Sequence, residues 1–246
     1  MTPPVQLILD EPPHSGAWNM AVDTALLEES LRTGTVFVRL YRWAEPTISL
    51  GYFQKPEERE SDRKFGHLPS VRRLSGGGAI LHDKEQTYSC VVPSGHALAE
   101  QPSQLYDLVH TLFVELLREK SIDVHPRGHD LKNDVEPFLC FLREASPDLV
   151  VRGHKVLGSA QRRRRGAVLQ HGSLLLQRSD FAPELLGLHD LFDSFQWSPD
   201  DTIEMGRRIA NVLGNATEIT ELPRSVRLAA TNTINCVPDY TSRGLK

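Results

Sequence analysis

Apolar residues recur at three- and four-residue spacings in two stretches of the chain, and both predict amphipathic helices. The first runs from Ser15 to Leu31, with Ser15 as candidate N-cap and Met20, Ala21, Ala25, Leu27 and Leu31 on one face. The second, over 103–120, is the stronger. Leu105, Leu108, Leu112, Leu116 and Leu117 share one side, and Arg118 and Lys120 lie near the end where cations are favoured. Shorter runs rich in β-branched and aromatic residues predict strands within 36–43, 47–53, 71–83, 86–93, 148–161 and 166–177. Thr33-Gly34 marks a turn, and Gly153-His154 predicts a tight hairpin. The charged stretch 55–66 predicts a short solvated helix and loop. The polar stretch 125–147, with Pro126, Gly128, Pro137 and Pro147, predicts a loop of a length that is often functional. From Asp180 helical stretches alternate with loops. With no repeat and no linker in view, the expected fold is α+β: one domain over 1–246, a largely antiparallel or mixed sheet flanked by helices.

Composition narrows the class. The 246 residues are 39% hydrophobic and 24% charged, as in an ordinary globular protein with a sizeable core. A formal net charge of -4 disfavours wholesale binding to nucleic acid or an anionic membrane. The N-terminus lacks the basic and apolar regions of a signal peptide, and no apolar run approaches a membrane span, so a cytoplasmic protein is expected. Cys90, Cys140 and Cys236 are far apart and form no CxxC, which predicts reduced thiols rather than a disulfide framework or a thiolate metal site.

Several residues are candidates for chemistry. Gly76, Gly77 and Gly78 at a strand end let the backbone approach a ligand and offer amide groups to a carbonyl or phosphate, although a glycine triplet is also a plain turn. Arg72, Arg73 and Ser75 precede them, and His82 and Asp83 follow. Neither the Rossmann nor the P-loop fingerprint is met. Lys155, followed by Gly158, Ser159, Ala160 and Gln161, sits where a lysine could polarise a carbonyl or favour a thiolate; an isolated strand lysine is by default solvated. Cys140 lies in the long loop among Phe138, Leu139 and Phe141, and a catalytic role would require a nearby cation. Cys90, inside an apolar strand, fits a structural role. His82, His154 and His171 lack metal-ligand spacing, so no metal is expected, and they read as pocket-lining or structural. The run Arg162 to Arg165 is by default a solvated face, and also a candidate docking patch for an acidic carrier protein.

These motifs resemble a known family. Arg72-Arg73-Leu-Ser-Gly-Gly-Gly-Ala-Ile-Leu-His82-Asp83 is similar to the RRxSGGGAVxHD loop of the biotin/lipoate protein ligase and octanoyltransferase superfamily, and Lys155 to Gln161 to its KxxGSAQ motif. Residues 16–23, 45–54 and 170–176 resemble further blocks in the family's order, so the resemblance covers about residues 5–190 and leaves the tail from 190 to 246 unassigned. It implies a catalytic domain related to class II biotin synthetases, with the acyl group held between the glycine loop and the lysine. It also implies substrate-binding roles for Arg72, Arg73, Ser75, Gly76, Gly77, Gly78, His82, Gly158, Ser159, Ala160 and His171.

Cys140-Phe141, some fifteen residues before Lys155, resembles the CF motif of Bacillus-type octanoyltransferases. No cysteine lies between Gly172 and Asn235, where another transferase branch carries its own. The resemblance thus implies a ping-pong transfer with Cys140 and Lys155 catalytic and no cofactor. Octanoyl-acyl carrier protein is the implied donor, and a lysine of a lipoyl-domain or glycine-cleavage H-like protein the acceptor. Three alternatives stand beside it: a lipoate–protein ligase using ATP and magnesium, an octanoyl amidotransferase between lipoyl proteins, and a non-catalytic acyl- or carrier-binding protein. Asn133-Asp134 is a weak match to a ligase pair, and the roughly 70 residues after the 170–176 block leave little room for an accessory domain.

Overall fold

A computed structural model describes residues 3–55, 57, 64–128, 138–143, 145–214 and 218–236. In chain order its elements are β1 (Val5–His14), α1 (Gly16–Thr33), β2 (Val36–Trp43), β3 (Thr47–Leu50), β4 (Ser70–Arg72), β5 (Ile80–His82) and β6 (Glu85–Val92). Then come α2 (Ala97–Glu100), α3 (Pro102–Glu119), β7 (His125–Pro126), a 3-10 turn at Cys140–Leu142, β8 (Leu149–Val151), β9 (His154–Arg164) and β10 (Ala167–Leu175). Last are α4 (Leu188–Leu191), α5 (Pro199–Gly214), β11 (Ile219–Thr220) and α6 (Arg224–Cys236).

The main sheet has eight strands in the order β11-β1-β2-β6-β10-β9-β8-β7. β1 is parallel to β2 and β11, and the other pairs are antiparallel, so the sheet is mixed and largely antiparallel. Its two faces bury different helices, as strand periodicity demands. Val36, Val38 and Leu40 of β2 face Val109, Phe113 and Leu117 of α3 and Met205, Ile209 and Leu213 of α5. On the other face Ile8, Phe37 and Val91 pack against Val22 and Leu26 of α1 and Val226 and Ala230 of α6. A small sheet, β4-β3-β5, lies beside them and packs with Leu139 and Ala182.

α1 begins where Ser15 accepts the Trp18 amide and ends at Gly34, whose φ of 71° is left-handed and whose N–H bonds the Ser30 carbonyl. The hairpin turn is Arg152-Gly153 rather than Gly153-His154. Both of its residues have positive φ, as a type I′ turn requires, and His154 already pairs with Val151. Arg165-Gly166 repeats that turn between β9 and β10. The strand expected over 47–53 stops at Leu50, because the next residues turn under the glycine loop. No described helix is long and apolar enough to cross a membrane.

Candidate active site

Strand register assembles the site. Gly158, Ser159 and Ala160 of β9 lie opposite Ser173, Gly172 and His171 of β10, which in turn lie opposite Thr87, Tyr88 and Ser89 of β6. Over them is a cavity of about 420 Å³, within the range of small-molecule sites. Among its walls are Arg73, Gly76–Gly78, His82, Cys140, Lys155, Gly158, Ser159, Ala160 and His171. Two expected site residues stand elsewhere. Arg72 turns away and its Nη1 donates to the carbonyls of Gly51, Tyr52 and Gln54. Ser75 is fully buried behind the loop, bonded to His171 and Arg73. His154 is exposed at a strand end, away from the cavity, and Asn133-Asp134 lies outside the described residues.

Cys140 comes to the glycine loop by strand-like pairing with Ala79. The Ala79 amide donates to the Phe138 carbonyl, and the Cys140 amide donates to the Ala79 carbonyl at 2.6 Å. A Cβ on Gly77 would lie 3.8 Å from Cys140 Sγ. Cys140 is half-buried, whereas Cys236 ends α6 on the surface and Cys90 is sealed in the sheet, where burial pushes its thiol up to about 12. A thiol held that high is not a nucleophile at neutral pH.

Lys155 is buried beside Cys140, with each of its three N–H donors able to find an acceptor. Nζ lies 2.8 Å from Asp148 Oδ2, 3.1 Å from the Arg143 carbonyl and 3.3 Å from that of Cys140. Lys155 therefore secures the turn that carries the cysteine. Gly158 has to lack a side chain here, since a Cβ would come 2.7 Å from Lys155 Cε.

The glycine loop is set by Arg73, whose Nη2 donates to the carbonyls of Gly76 and Gly78 at 2.7 Å each. Because the peptide unit is planar and trans, the Gly77 N–H points away from Arg73. Among the described residues none of the three glycine amides is committed to a protein acceptor. Gly77 has a φ of 91°, which favours glycine.

Behind two walls stand buried polar residues that no motif announced. On α3, burial pulls His110 down to about 4, so its ring is neutral; its Nδ1 donates to the Pro147 carbonyl and its Nε2 accepts the Ser159 hydroxyl at 2.8 Å. Tyr88 in turn bonds Ser159 at 2.7 Å. Tyr106 and His110 are four residues apart on the helix, a spacing that was visible as a polar interruption of its buried side. On α1, Asp23 meets His171, Tyr41, Ser89 and the fully buried Arg39. Burial pushes the Asp23 carboxyl up, but the bond from His171 and the Arg39 charge outweigh it and hold the group below its ordinary value.

The arginine run divides by strand alternation instead of forming one solvated face. Arg164 pairs with Glu28 of α1 at 2.6 Å, Arg162 lies 4.5 Å over the Tyr52 ring, and Arg163 reaches the Ala99 carbonyl on the other side.

Similarity to known proteins decides the family. Residues 15–231 match the lipoyl protein ligase A/B catalytic domain. The chain belongs to this family. The match runs well into the tail beyond residue 190, whose helices the sequence motifs did not reach. Among curated relatives, Octanoyltransferase LipM of Anoxybacillus flavithermus is 40% identical over 66% of the chain and 62% of its own length. LipM of Halalkalibacterium halodurans is 34% identical over 96% of the chain and 86% of its own length. The chain thus spans just under two thirds of some relatives and most of others. These relatives are octanoyltransferases, that is, acyltransferases.

The fold of this family member agrees with solved structures. Thermoplasma acidophilum Ta0514 with bound lipoic acid, described as a candidate lipoate protein ligase, aligns with a TM-score of 0.72 at 19% identity, over 99% of this chain and all of that one. Lipoate-protein ligase A bound with ATP aligns with a TM-score of 0.69 at 20% identity, over 96% and 95% of the two chains. At such identities the likeness is one of fold.

Proposed function

We propose that the protein is an octanoyltransferase of lipoate biosynthesis that carries the acyl group as a thioester on Cys140. The observation that carries this reading is the seating of Cys140, the only half-buried cysteine of the three, against Gly77 in the wall of the cavity. The Cys140 thiolate attacks the carbonyl carbon of octanoyl-acyl carrier protein, a new C–S bond forms, the carrier's C–S bond breaks, and the carrier leaves as a thiolate that takes a proton from water. The amine of a lysine on a lipoyl-domain or glycine-cleavage H-like protein then attacks the new thioester. A C–N bond forms, the Cys140 C–S bond breaks, and the amine proton is lost to water. The Gly77 N–H supports a role as donor to the oxyanion of both steps, and Lys155 holds the Cys140 turn in place. Because a thioester is already activated, the reaction needs neither ATP nor a metal.

The acidic carrier finds complementary features near the cavity mouth. Phe53 is the most exposed large apolar residue described, lies 4.0 Å from a Cβ position on Gly76, and neighbours Tyr52 with Arg162 stacked above it. Three unpaired cysteines support a reducing, cytoplasmic setting.

The test is direct. Incubation with octanoyl-acyl carrier protein, without ATP, is expected to add one octanoyl group to Cys140 by peptide mass spectrometry, and adding a lipoyl domain should remove it. Cys140→Ala is expected to abolish transfer. Full activity of Cys140→Ala with lipoate and ATP would instead assign a ligase, and tight carrier binding without amide formation a non-catalytic binder.

A further inference from the structure

Arg73 is a buried cation whose direct partners are all uncharged. Nη1 donates to the Ser49 carbonyl at 2.8 Å and to Ser49 Oγ at 3.3 Å, Nε donates to Ser75 Oγ at 3.2 Å, and Nη2 takes the two glycine carbonyls. No described carboxylate lies within ion-pair reach of it. Yet carboxylates are held nearby at one remove. On one side Ser49 Oγ bonds His82 Nε2 at 2.7 Å, and His82 Nδ1 bonds Glu85. On the other Ser75 Oγ bonds His171 Nε2 at 2.5 Å, and His171 Nδ1 lies 3.3 Å from Asp23.

The proton directions on the Glu85 side follow from what each group can do. Burial pulls His82 below its ordinary value despite Glu85, so the ring is neutral, donates Nδ1–H to the carboxylate and accepts the Ser49 hydroxyl at Nε2. That leaves a lone pair of Ser49 for the guanidinium. Ser75 and His171 repeat this geometry toward Asp23. Each relay orients Arg73 firmly while keeping a serine and an imidazole between it and negative charge. A buried guanidinium left this way favours an anion beside it. The one nucleophile in reach is the sulfur. A Cβ on Gly77 would lie 3.1 Å from Arg73 Nη2 and 3.8 Å from Cys140 Sγ, so the two groups face each other across a single glycine.

We propose that Arg73 is the counter-ion of the Cys140 thiolate, a positioning residue aimed across Gly77 by two serine–histidine–carboxylate relays. Two other cations line the cavity near the cysteine: Lys155 has its charge matched by Asp148 at 2.8 Å, and Arg143 lies against Gly78, its Nε 2.8 Å from a Cβ position there. Burial pulls Arg73 down to about 10, and the nearby Cys140 charge is the strongest influence pushing it back up, while Arg143 opposes. The remaining titratable groups lining the cavity near the sulfur are Tyr106 of α3, His82 of β5 and His171 of β10. This assignment rests on Cys140 being the nucleophile of the transfer, but its test needs no acyl donor.

In a Cys236→Ser background, which removes the exposed thiol, the rate of Cys140 alkylation by iodoacetamide is followed from pH 5.5 to 9.5 on the Cys140 peptide. Arg73→Met is expected to raise the midpoint by about one to two pH units, Arg73→Lys to recover at least half of that shift, and Lys155→Met to move it less than Arg73→Met. Ser49→Ala, which breaks one relay at the serine next to the guanidinium, is expected to raise the midpoint by less than Arg73→Met does. It keeps the question answerable if Arg73→Met does not fold. A folded Arg73→Met whose profile overlays the parent, or a midpoint that falls or stays put in Ser49→Ala, would overturn the proposal. If octanoyl-acyl carrier protein leaves Cys140 unmodified while these shifts appear, the transfer reading fails and the counter-ion assignment stands.

Discussion

Lys155 shows how one side chain serves both stability and the site. Its ammonium and the Asp148 carboxylate are both buried, and each is the other's compensating charge. Lys155→Met removes one partner and strands the other, which is expected to cost about 3–5 kcal/mol. Urea denaturation would measure it, and adding Asp148→Leu should recover much of the loss, because two apolar groups replace the pair. If Lys155→Met unfolds at the parent's urea concentration, the pair is not coupled as its geometry indicates. Arg39 shows the same economy of charge: it is fully buried, yet Asp10 and Asp23 both reach it and Tyr41 lies under its plane at 3.8 Å. Neither arrangement is visible at the residue itself. Lys155 announced itself by the motif around it, while Asp148 had no signal beyond being an acidic residue before a strand.

At the scale of elements, two glycines at the ends of secondary structure make opposite predictions. Gly34 closes α1 in open space, so Gly34→Ala is expected to cost about 1–2 kcal/mol for its left-handed backbone while leaving transfer unchanged. Gly51 follows β3, and a Cβ there would fall 2.0 Å from the Gly77 carbonyl oxygen, a backbone atom that cannot step aside. Gly51→Ala is therefore expected to displace the glycine loop and abolish most transfer, even where circular dichroism shows a folded protein. Equal activity of the two variants would contradict this. The elements themselves were legible to different degrees. α1 carries caps and apolar spacing of its own, α3 apolar spacing and a proline at its start, and β2 spans the predicted residues. β1 was missed because Glu11, Pro12 and Pro13 mask its alternation, and the two residues of β11 are too short to leave a pattern.

For the whole molecule, the tail is part of the core. Met205, Ile209, Ala210 and Leu213 seal one face of the sheet, Val226 and Ala230 the other, and β11 extends its edge. A chain ending at Asp193 is expected to lose cooperative thermal unfolding; a sharp transition in that truncation would show the tail to be dispensable. Acid should weaken the fold in a defined window. Unfolded histidine takes up a proton near pH 6.5, whereas folded His110 stays neutral down to about 4, and His82 is shifted in the same direction. Between those values the unfolded chain binds more protons, so stability is level above about pH 6.5 and falls toward pH 4, by about 3 kcal/mol for His110 alone. Urea midpoints at pH 7.5 and 5 would read this slope, and His110→Gln should flatten it.

The sequence by itself determined the two long helices α1 and α3, the N-cap of α1, most strands of the large sheet, and the two motifs that mark the glycine loop and the Lys155 strand. These features are local: spacing, turn chemistry and short motifs act over a few residues and can be read there. Only the tertiary structure decided how Cys140 meets the glycine loop, that Arg72 faces outward while Arg73 faces in, and which carboxylates stand behind the histidines. Cys140 reaches Gly77 through pairing with Ala79, and Ser75 reaches His171 from 96 positions away. Such contacts are fixed by sheet register and by the burial of charges that must find partners, and neither leaves a trace in the neighbouring letters.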